Sequence, residues 1–264
     1  SWKRSGRSGL GIAQHVARVA TPFEWSAQRL LEAGAKAEWV GHPLLERKYS
    51  PAARAALRAE FGAGEDAKLI ALLPGSRMSE INCLAPRMAA VAGILRARGN
   101  IQFVAAVAER RVEAVKKHLP DWIKLVPERA ADVLHACDAA VVKSGTATLE
   151  AAVIGAPQVM VYDFPWTGRI EWLFLWMWKR SVKFIAMPNV ILQRMAIREL
   201  LGLDCTPEKI SAAITELLDD PAAREKMAAD YREIREKLGA NLPKSATLRT
   251  AEMLEEMLGE NNAA

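Results

Sequence analysis

The chain has 264 residues, 51% hydrophobic and 25% charged, which allows one large domain, or one domain plus extensions, with a sizeable core. A net charge of +5 and a pI of about 9.2 suit phosphate-bearing partners but are too mild, and the basic residues too scattered, for a nucleic-acid-binding protein. Three distant cysteines, Cys83, Cys137 and Cys205, form no CxxC pair or Cys/His cluster, which argues against a disulfide framework or a zinc site and fits a reducing compartment.

No signal peptide is visible. The chain begins at Ser1, with no apolar strand before the basic stretch Trp2-Lys3-Arg4-Ser5-Gly6-Arg7, so further sequence is expected upstream. A short apolar segment covers 16–20. Thr21-Pro22 reads as an N-cap followed by Pro at the first helical position, opening a helix to about residue 33. A short strand at 37–40 ends in Gly41-His42-Pro43-Leu44, and Ser50-Pro51 opens another helix to about residue 61. From residue 68 apolar strand candidates at 68–73, 101–107, 123–126, 138–142, 157–162 and 183–187 alternate with helical stretches at 79–98, 109–118, 129–136, 146–154 and 166–180. That alternation predicts an α/β fold, a Rossmann-like parallel sheet with helices on both faces, whose ligands bind beyond the carboxyl ends of the strands. Helices are then expected at 193–201, 207–218, 221–238 and 244–258, started by Thr206-Pro207 and Asp220-Pro221, with a frayed tail at 259–264.

Two strand-to-helix junctions stand out: Leu72-Leu73-Pro74-Gly75-Ser76-Arg77 and Lys143-Ser144-Gly145-Thr146-Ala147-Thr148-Leu149-Glu150. Each offers a Gly that lets the backbone approach a ligand, a hydroxyl, and N–H groups at a helix start, where an anion is favoured. Arg77 can grip two phosphate oxygens at once. Glu150, four residues after Thr146 on the same helix face, can accept hydrogen bonds from two ribose hydroxyls. Together Gly75, Ser76, Arg77, Ser144, Gly145, Thr146 and Glu150 make a nucleotide cradle. An ordinary turn with a surface Arg, and a helix cap with an exposed Glu, would show the same residues. Neither segment is a Walker A loop or a GxGxxG fingerprint, so kinases and dehydrogenases are not indicated.

Half of the eight tryptophans, Trp166, Trp172, Trp176 and Trp178, fall within 165–180, close to Arg169, Lys179, Arg180 and Lys183. The apolar run is too short to span a bilayer, but Trp beside Lys and Arg suits the level between headgroups and acyl chains. The alternative is a buried helix. None of the four histidines has a partner at metal-ligand spacing, and His42 reads as structural on pattern alone.

In this order the segments resemble the C-terminal part of the lipid A disaccharide synthase family, glycosyltransferases of the GT-B fold. Thr21-Pro22-Phe23-Glu24 is similar to the family's Pro-Phe-Glu element and Val40-Gly41-His42-Pro43-Leu44 to its Gly-His-Pro element. The two junctions resemble its donor-site segments, Met187-Pro188-Asn189 its Pro-Asn element, and Glu199-Leu200-Leu201 the Glu-Leu-Leu that follows, although Gly202 stands where the family often has Gln.

The resemblance implies inverting, metal-independent transfer of 2,3-diacylglucosamine from UDP-2,3-diacylglucosamine to 2,3-diacylglucosamine 1-phosphate in lipid A biosynthesis, with no cofactor. By that analogy Arg77 holds the diphosphate, Ser144, Gly145 and Thr146 line the phosphate and sugar pocket, Glu150 binds the ribose, and Asn189 lies near the donor sugar or its phosphate. The partners it implies are the UDP-linked acylated donor, the acylated glucosamine 1-phosphate acceptor and a membrane surface, with a homodimer allowed. The place is the cytoplasm, peripheral at the inner face of the bacterial inner membrane.

The domains expected are 1–50 as a remnant of the N-terminal domain and linker, 51–240 as the donor-binding domain, and 241–264 as a C-terminal helix and tail. The family's N-terminal domain supplies most of the acceptor site and the general base, so the catalytic residue is expected outside this chain, which alone should bind UDP but turn over little. Another GT-B UDP-sugar enzyme, a lipid glycosyltransferase or an epimerase, and a non-catalytic nucleotide- or membrane-binding fragment are the competing readings.

Overall fold

The computed structural model describes residues 15–48, 50–64, 66–163 and 183–262. They divide into two compact units, Ser1–Lys48 with Arg232–Ala264, and Tyr49–Tyr231. The smaller unit begins with β1 (Val19–Thr21), α1 (Glu24–Glu32) and β2 (Ala37–Trp39), and the two strands pair in parallel. The helix starts two residues later than Thr21-Pro22 predicts. Thr21 closes β1, its hydroxyl donating to the Phe23 carbonyl at 2.9 Å, and extended Phe23 is the N-cap.

The larger unit opens on α2 (Pro51–Glu60), where Ser50 Oγ accepts the Ala53 amide at 3.1 Å and Pro51 needs no donor partner. Six strands follow: β3 (Lys68–Leu73), β4 (Ile101–Val107), β5 (Lys124–Pro127), β6 (Ala139–Lys143), β7 (Gln158–Tyr162) and β8 (Arg198–Leu201). The helices are α3 (Met78–Arg96), α4 (Val112–Lys116), α5 (Ala130–Ala136), α6 (Thr146–Ile154), α7 (Met187–Leu192), α8 (Pro207–Asp219) and α9 (Pro221–Lys237). All strand pairs are parallel, in the order β5-β4-β3-β6-β7-β8.

The central strands are apolar without interruption because helices cover both faces. Leu69, Ala71, Leu73, Val104, Ala140 and Val142 share one buried cluster with Val133 and Leu134 of α5 and Ala151 of α6. Across the sheet α3 and α8 pack on each other, burying Ile81, Leu84, Met88, Ile210 and Ile214. From β3 the chain winds outward to β5, then returns to β6 and winds the other way. The order therefore reverses between β3 and β6, and the crevice beyond their carboxyl ends is where such sheets take ligands.

Two expected elements differ. The apolar run 183–187 is not a strand: the Ile185 and Ala186 amides bond to the Glu199 carboxylate at 3.1 and 2.9 Å, and Pro188 helps to start α7. Nor is 193–201 a helix. Gln193 adopts φ 55° and ends α7, and residues 198–201 form β8, in register with β7 from Val159↔Arg198 to Tyr162↔Leu201. Arg-Glu-Leu-Leu has good helix propensity, but a free sheet edge beside β7 outweighs a preference of a few tenths of a kcal/mol per residue. The expected helix at 109–118 is a 3₁₀ turn, Glu109–Arg111, followed by the short α4. The expected helix at 166–180 lies outside the described residues.

At the amino edge of the sheet, Asp138 closes the larger unit. Its carboxylate accepts the Leu69 amide (2.8 Å), Arg58 Nη1 (2.9 Å) and Arg54 Nη2 (2.9 Å), joining β3 to α2. The guanidinium groups also reach the carbonyls of Ala67, His135, Ala136 and Cys137. Burial raises the Asp138 pKa, but the Leu69 amide and the two arginines outweigh it and hold the carboxyl below the usual range.

The C-terminal segment belongs to the smaller unit. Helix α10 (Ala246–Asn262) begins two residues later than expected and continues through 259–262. Glu38 receives Arg249 through two nitrogens, at 2.5 and 2.8 Å, and Arg249 also reaches Glu256 at 2.7 Å. Val40, Ala246 and Met253 form a small buried cluster beside this network.

Candidate functional site: a crevice at the strand-order reversal

The first junction, Pro74-Gly75-Ser76-Arg77, leaves the end of β3 and enters α3. Gly75 has φ +104°, and a Cβ there would lie 2.5 Å from Glu80 Oε2, so the turn needs both the left-handed backbone and the missing side chain. Glu80, on the first turn of α3, reaches back under this loop. Its Oε2 accepts the amides of Ser76 (3.2 Å) and Arg77 (3.3 Å). The Arg77 side chain is 79% exposed and meets Glu80 at 3.4 Å, a weak surface contact. Arg111, just after β4, donates to the Ser76 carbonyl at 3.1 Å and steadies the same turn.

The second junction leaves β6. Gly145, at φ +150°, is the N-cap of α6, and the Thr148 hydroxyl and amide both donate to its carbonyl, at 2.8 and 3.2 Å. Thr148 is fully buried, and its own carbonyl accepts Gln158 Nε2 at 2.9 Å, which fixes the helix start against β7. Gly145 and Thr146 are exposed at the mouth of α6, Ser144 is half-buried, and Glu150 is half-buried one turn further along.

One side-chain contact ties the two junctions together. Lys143 Nζ lies 2.7 Å from Glu80 Oε1, with the two side chains only 16% and 12% exposed. The ammonium also stands over the Tyr162 ring, 5.6 Å from its centroid. Burial raises the Glu80 pKa, but Lys143 and the Arg77 and Ser76 amides overcome it, so the carboxyl sits below its ordinary value. Burial pushes the Tyr162 hydroxyl up, with Glu80 adding to the shift and Arg77 opposing it. Sequence reading missed Glu80, Lys143 and Arg111 as members of this site. The signal for Glu80 was present, since an acid three residues after a helix's N-cap can reach back to it. Lys143 and Arg111 were found only through strand order.

Asn189 lies in α7. It is fully buried, its Oδ1 accepting the Ala196 (2.7 Å) and Ile197 (2.9 Å) amides and its Nδ2 donating to the Ile197 carbonyl (2.9 Å) and Glu199 (2.7 Å). Both ends of the amide are hydrogen-bonded within the protein, so Asn189 ties α7 to β8 and orients Glu199. At the end of β7, Asp163 pairs with Arg87, and Arg87 also donates to the Cys83 carbonyl at 2.6 Å. Burial first, then the Asp163 charge, raises the Cys83 thiol pKa.

In the smaller unit His42 Nδ1 accepts the Leu44 amide at 3.2 Å and caps the 3₁₀ turn Pro43–Glu46, in keeping with a structural His. Burial lowers its pKa. The residues expected at a lipid surface, Trp166, Trp172, Trp176, Trp178, Lys179 and Arg180, lie outside the described residues. Among the described residues no helix is long and apolar enough to cross a membrane.

A family described as lipid-A-disaccharide synthetase matches residues 1–252. A lipid-A-disaccharide synthase from Anaeromyxobacter sp. (strain K) is 38% identical, covering 94% of this chain and 65% of its own length. One from Nitrosococcus oceani is 33% identical, covering 99% of this chain and 66% of its own. The chain thus spans a little less than two thirds of these curated relatives. Among solved structures, UDP-GlcNAc 2-epimerase from Neisseria meningitidis, bound to UDP-GlcNAc, aligns with a TM-score of 0.54 at 15% identity, over 83% of this chain and 60% of that one. Anabaena Alr3699/HepE in complex with UDP-glucose aligns with a TM-score of 0.53 at 14% identity, over 96% and 67%. At these identities the structural likeness speaks for the fold alone.

Proposed function

The chain belongs to the lipid-A-disaccharide synthetase family, and on that premise we propose that its larger unit binds the UDP-sugar donor of an inverting hexosyltransferase that makes the lipid A disaccharide. The observation that carries this reading is the meeting of the two junctions, Gly75-Ser76-Arg77 and Ser144-Gly145-Thr146, at the reversal of strand order. Arg77 and the exposed start of α6 supply positive charge and N–H donors for the diphosphate. Glu150, one turn into α6, takes the ribose hydroxyls.

The reaction transfers 2,3-diacylglucosamine from its UDP carrier to 2,3-diacylglucosamine 1-phosphate, releasing UDP. What these residues contribute is positioning of the anomeric carbon and stabilisation of the departing UDP. The acceptor hydroxyl must lose its proton to a base. The family resemblance places that base in the family's N-terminal domain. Supporting the lipid assignment over an epimerase are the family match and the Trp- and Lys/Arg-rich stretch at 165–180, read as a peripheral contact with an anionic membrane surface.

Two measurements test this. Arg77→Ala should weaken UDP binding by about 1.5–3 kcal/mol, the range for hydrogen bonds to a charged group, with its melting temperature unchanged because the side chain is exposed. Glu150→Ala should abolish the preference for UDP over its 2′-deoxy analogue. Calorimetric titration reads both, and unchanged affinity and preference would sink the site assignment. For the membrane, replacing Trp172 and Trp176 together by Ser should reduce sedimentation with anionic liposomes. If the variant unfolds instead, those residues are core.

A further inference from the structure

We infer that Glu80 is a positioning residue of the donor site, and that it works by holding Lys143 as a second cation over the mouth of α6. The inference rests on the donor-site reading given above. Its starting point is geometric. Glu80 uses one carboxylate oxygen for the backbone of the first junction, at Ser76 and Arg77, and the other for Lys143 of the second. A single side chain therefore fixes the separation of two loops that come from different strands.

Lys143 has the placement a phosphate ligand needs. It is the last residue of β6, at the reversal of strand order. A Cβ built on Gly145, the N-cap of α6, would meet one side-chain atom within 4 Å, and that atom is Lys143 Nζ, at 3.9 Å. The ammonium thus stands beside the exposed amides of the helix start. It carries three donors. Glu80 Oε1 takes one and the Tyr162 ring faces the group from another side, which leaves a donor for an anion at the same place.

A free lysine samples many rotamers, and ordering it on binding costs entropy. The Glu80 contact and the Tyr162 ring order it beforehand, with both ionic side chains largely buried. Arg77 differs. Its side chain is exposed and its contact with Glu80 is long, so it is not held in advance as Lys143 is. Glu80 also explains why Gly75 cannot carry a side chain, since the carboxylate occupies the space a Cβ would take.

The test is a double-mutant cycle on UDP affinity, measured by calorimetry on Glu80→Gln, Lys143→Met and the double variant, with thermal melts alongside. Gln keeps one acceptor for the Ser76 and Arg77 amides and puts an NH2 donor in place of the oxygen that holds Lys143. Each single variant should weaken UDP about tenfold, the effect of one charge-assisted contact. The double variant should bind no worse than Lys143→Met alone, because Glu80 acts through Lys143. Lys143→Arg should recover most of the affinity.

A purely structural Glu80 would instead give independent, multiplying losses, about a hundredfold in the double variant, and that overturns the inference. So does tighter binding by Glu80→Gln, which would make the carboxylate a competitor of the ligand. If the unsubstituted chain fails to bind UDP, the donor-site reading falls and this inference falls with it. If it binds UDP and the losses multiply, only this inference falls.

Discussion

Replacing Asp138 by Ala is expected to lower the unfolding free energy by about 3 kcal/mol, the low end of the cost of breaking a buried ion pair from one side, because the Asp138 side chain is 22% exposed. The Leu69 amide would lose its acceptor, and Arg58, whose side chain is 13% exposed, would keep its charge without a counter-ion. Arg54 and Arg58 retain their carbonyl contacts, so the loss falls on the charge and the amide. Asp138→Asn preserves an acceptor for Leu69 and should cost less.

The pH dependence has a definite sign. The folded carboxyl titrates below its unfolded value, so the stabilisation is fully present above the unfolded pKa of about 3.9 and is lost as pH falls through the lower folded value. Urea midpoints of the native chain should therefore drop below about pH 4, and Asp138→Asn should lack that part of the drop. Asp138 lies at the amino edge of the sheet, away from the crevice, so UDP affinity of the folded Asn variant should match that of the native chain. A variant with native midpoints would show that the clamp contributes nothing net.

Asn189→Ala carries the second large effect. It strips acceptors from two buried amides, Ala196 and Ile197, and a donor from Glu199. With several partners left unsatisfied at about 1–3 kcal/mol each and partial relaxation between them, a loss of about 2–4 kcal/mol is expected in denaturant unfolding. Asn189→Asp should fare no better. It restores an acceptor for the amides but sets a second carboxylate against Glu199, which sits within hydrogen-bond reach at 2.7 Å. If instead both variants melt like the native chain while donor affinity drops, Asn189 is a ligand contact, as the family resemblance implies, and not a clamp.

The parallel sheet was legible in the sequence because its buried strands are unbroken apolar runs between helices, a pattern that physics ties to a sheet covered on both faces. Lys68–Leu73 and Ile101–Val107 fall where that pattern puts them. The sixth strand was not legible. Arg198–Leu201 is polar at its start and rich in helix formers, and only the edge offered by β7 makes it a strand. The same limit applies to the site. Gly75, Gly145 and their neighbours announce themselves at strand ends, where local sequence and backbone geometry coincide. Lys143 and Glu80 are 63 positions apart, and nothing local pairs them until the strand order sets β3 beside β6. Asn189 marks another limit. A family element marks it as worth noticing, but not whether its amide faces a ligand or the protein.

Hydrogen–deuterium exchange of the chain with and without UDP tests the central claim most directly. Protection should concentrate in two separate stretches, about 73–81 and 143–150, where the ligand covers amides beyond the ends of β3 and β6. Protection confined to the amino edge of the sheet, or none at UDP concentrations that saturate binding, would contradict it.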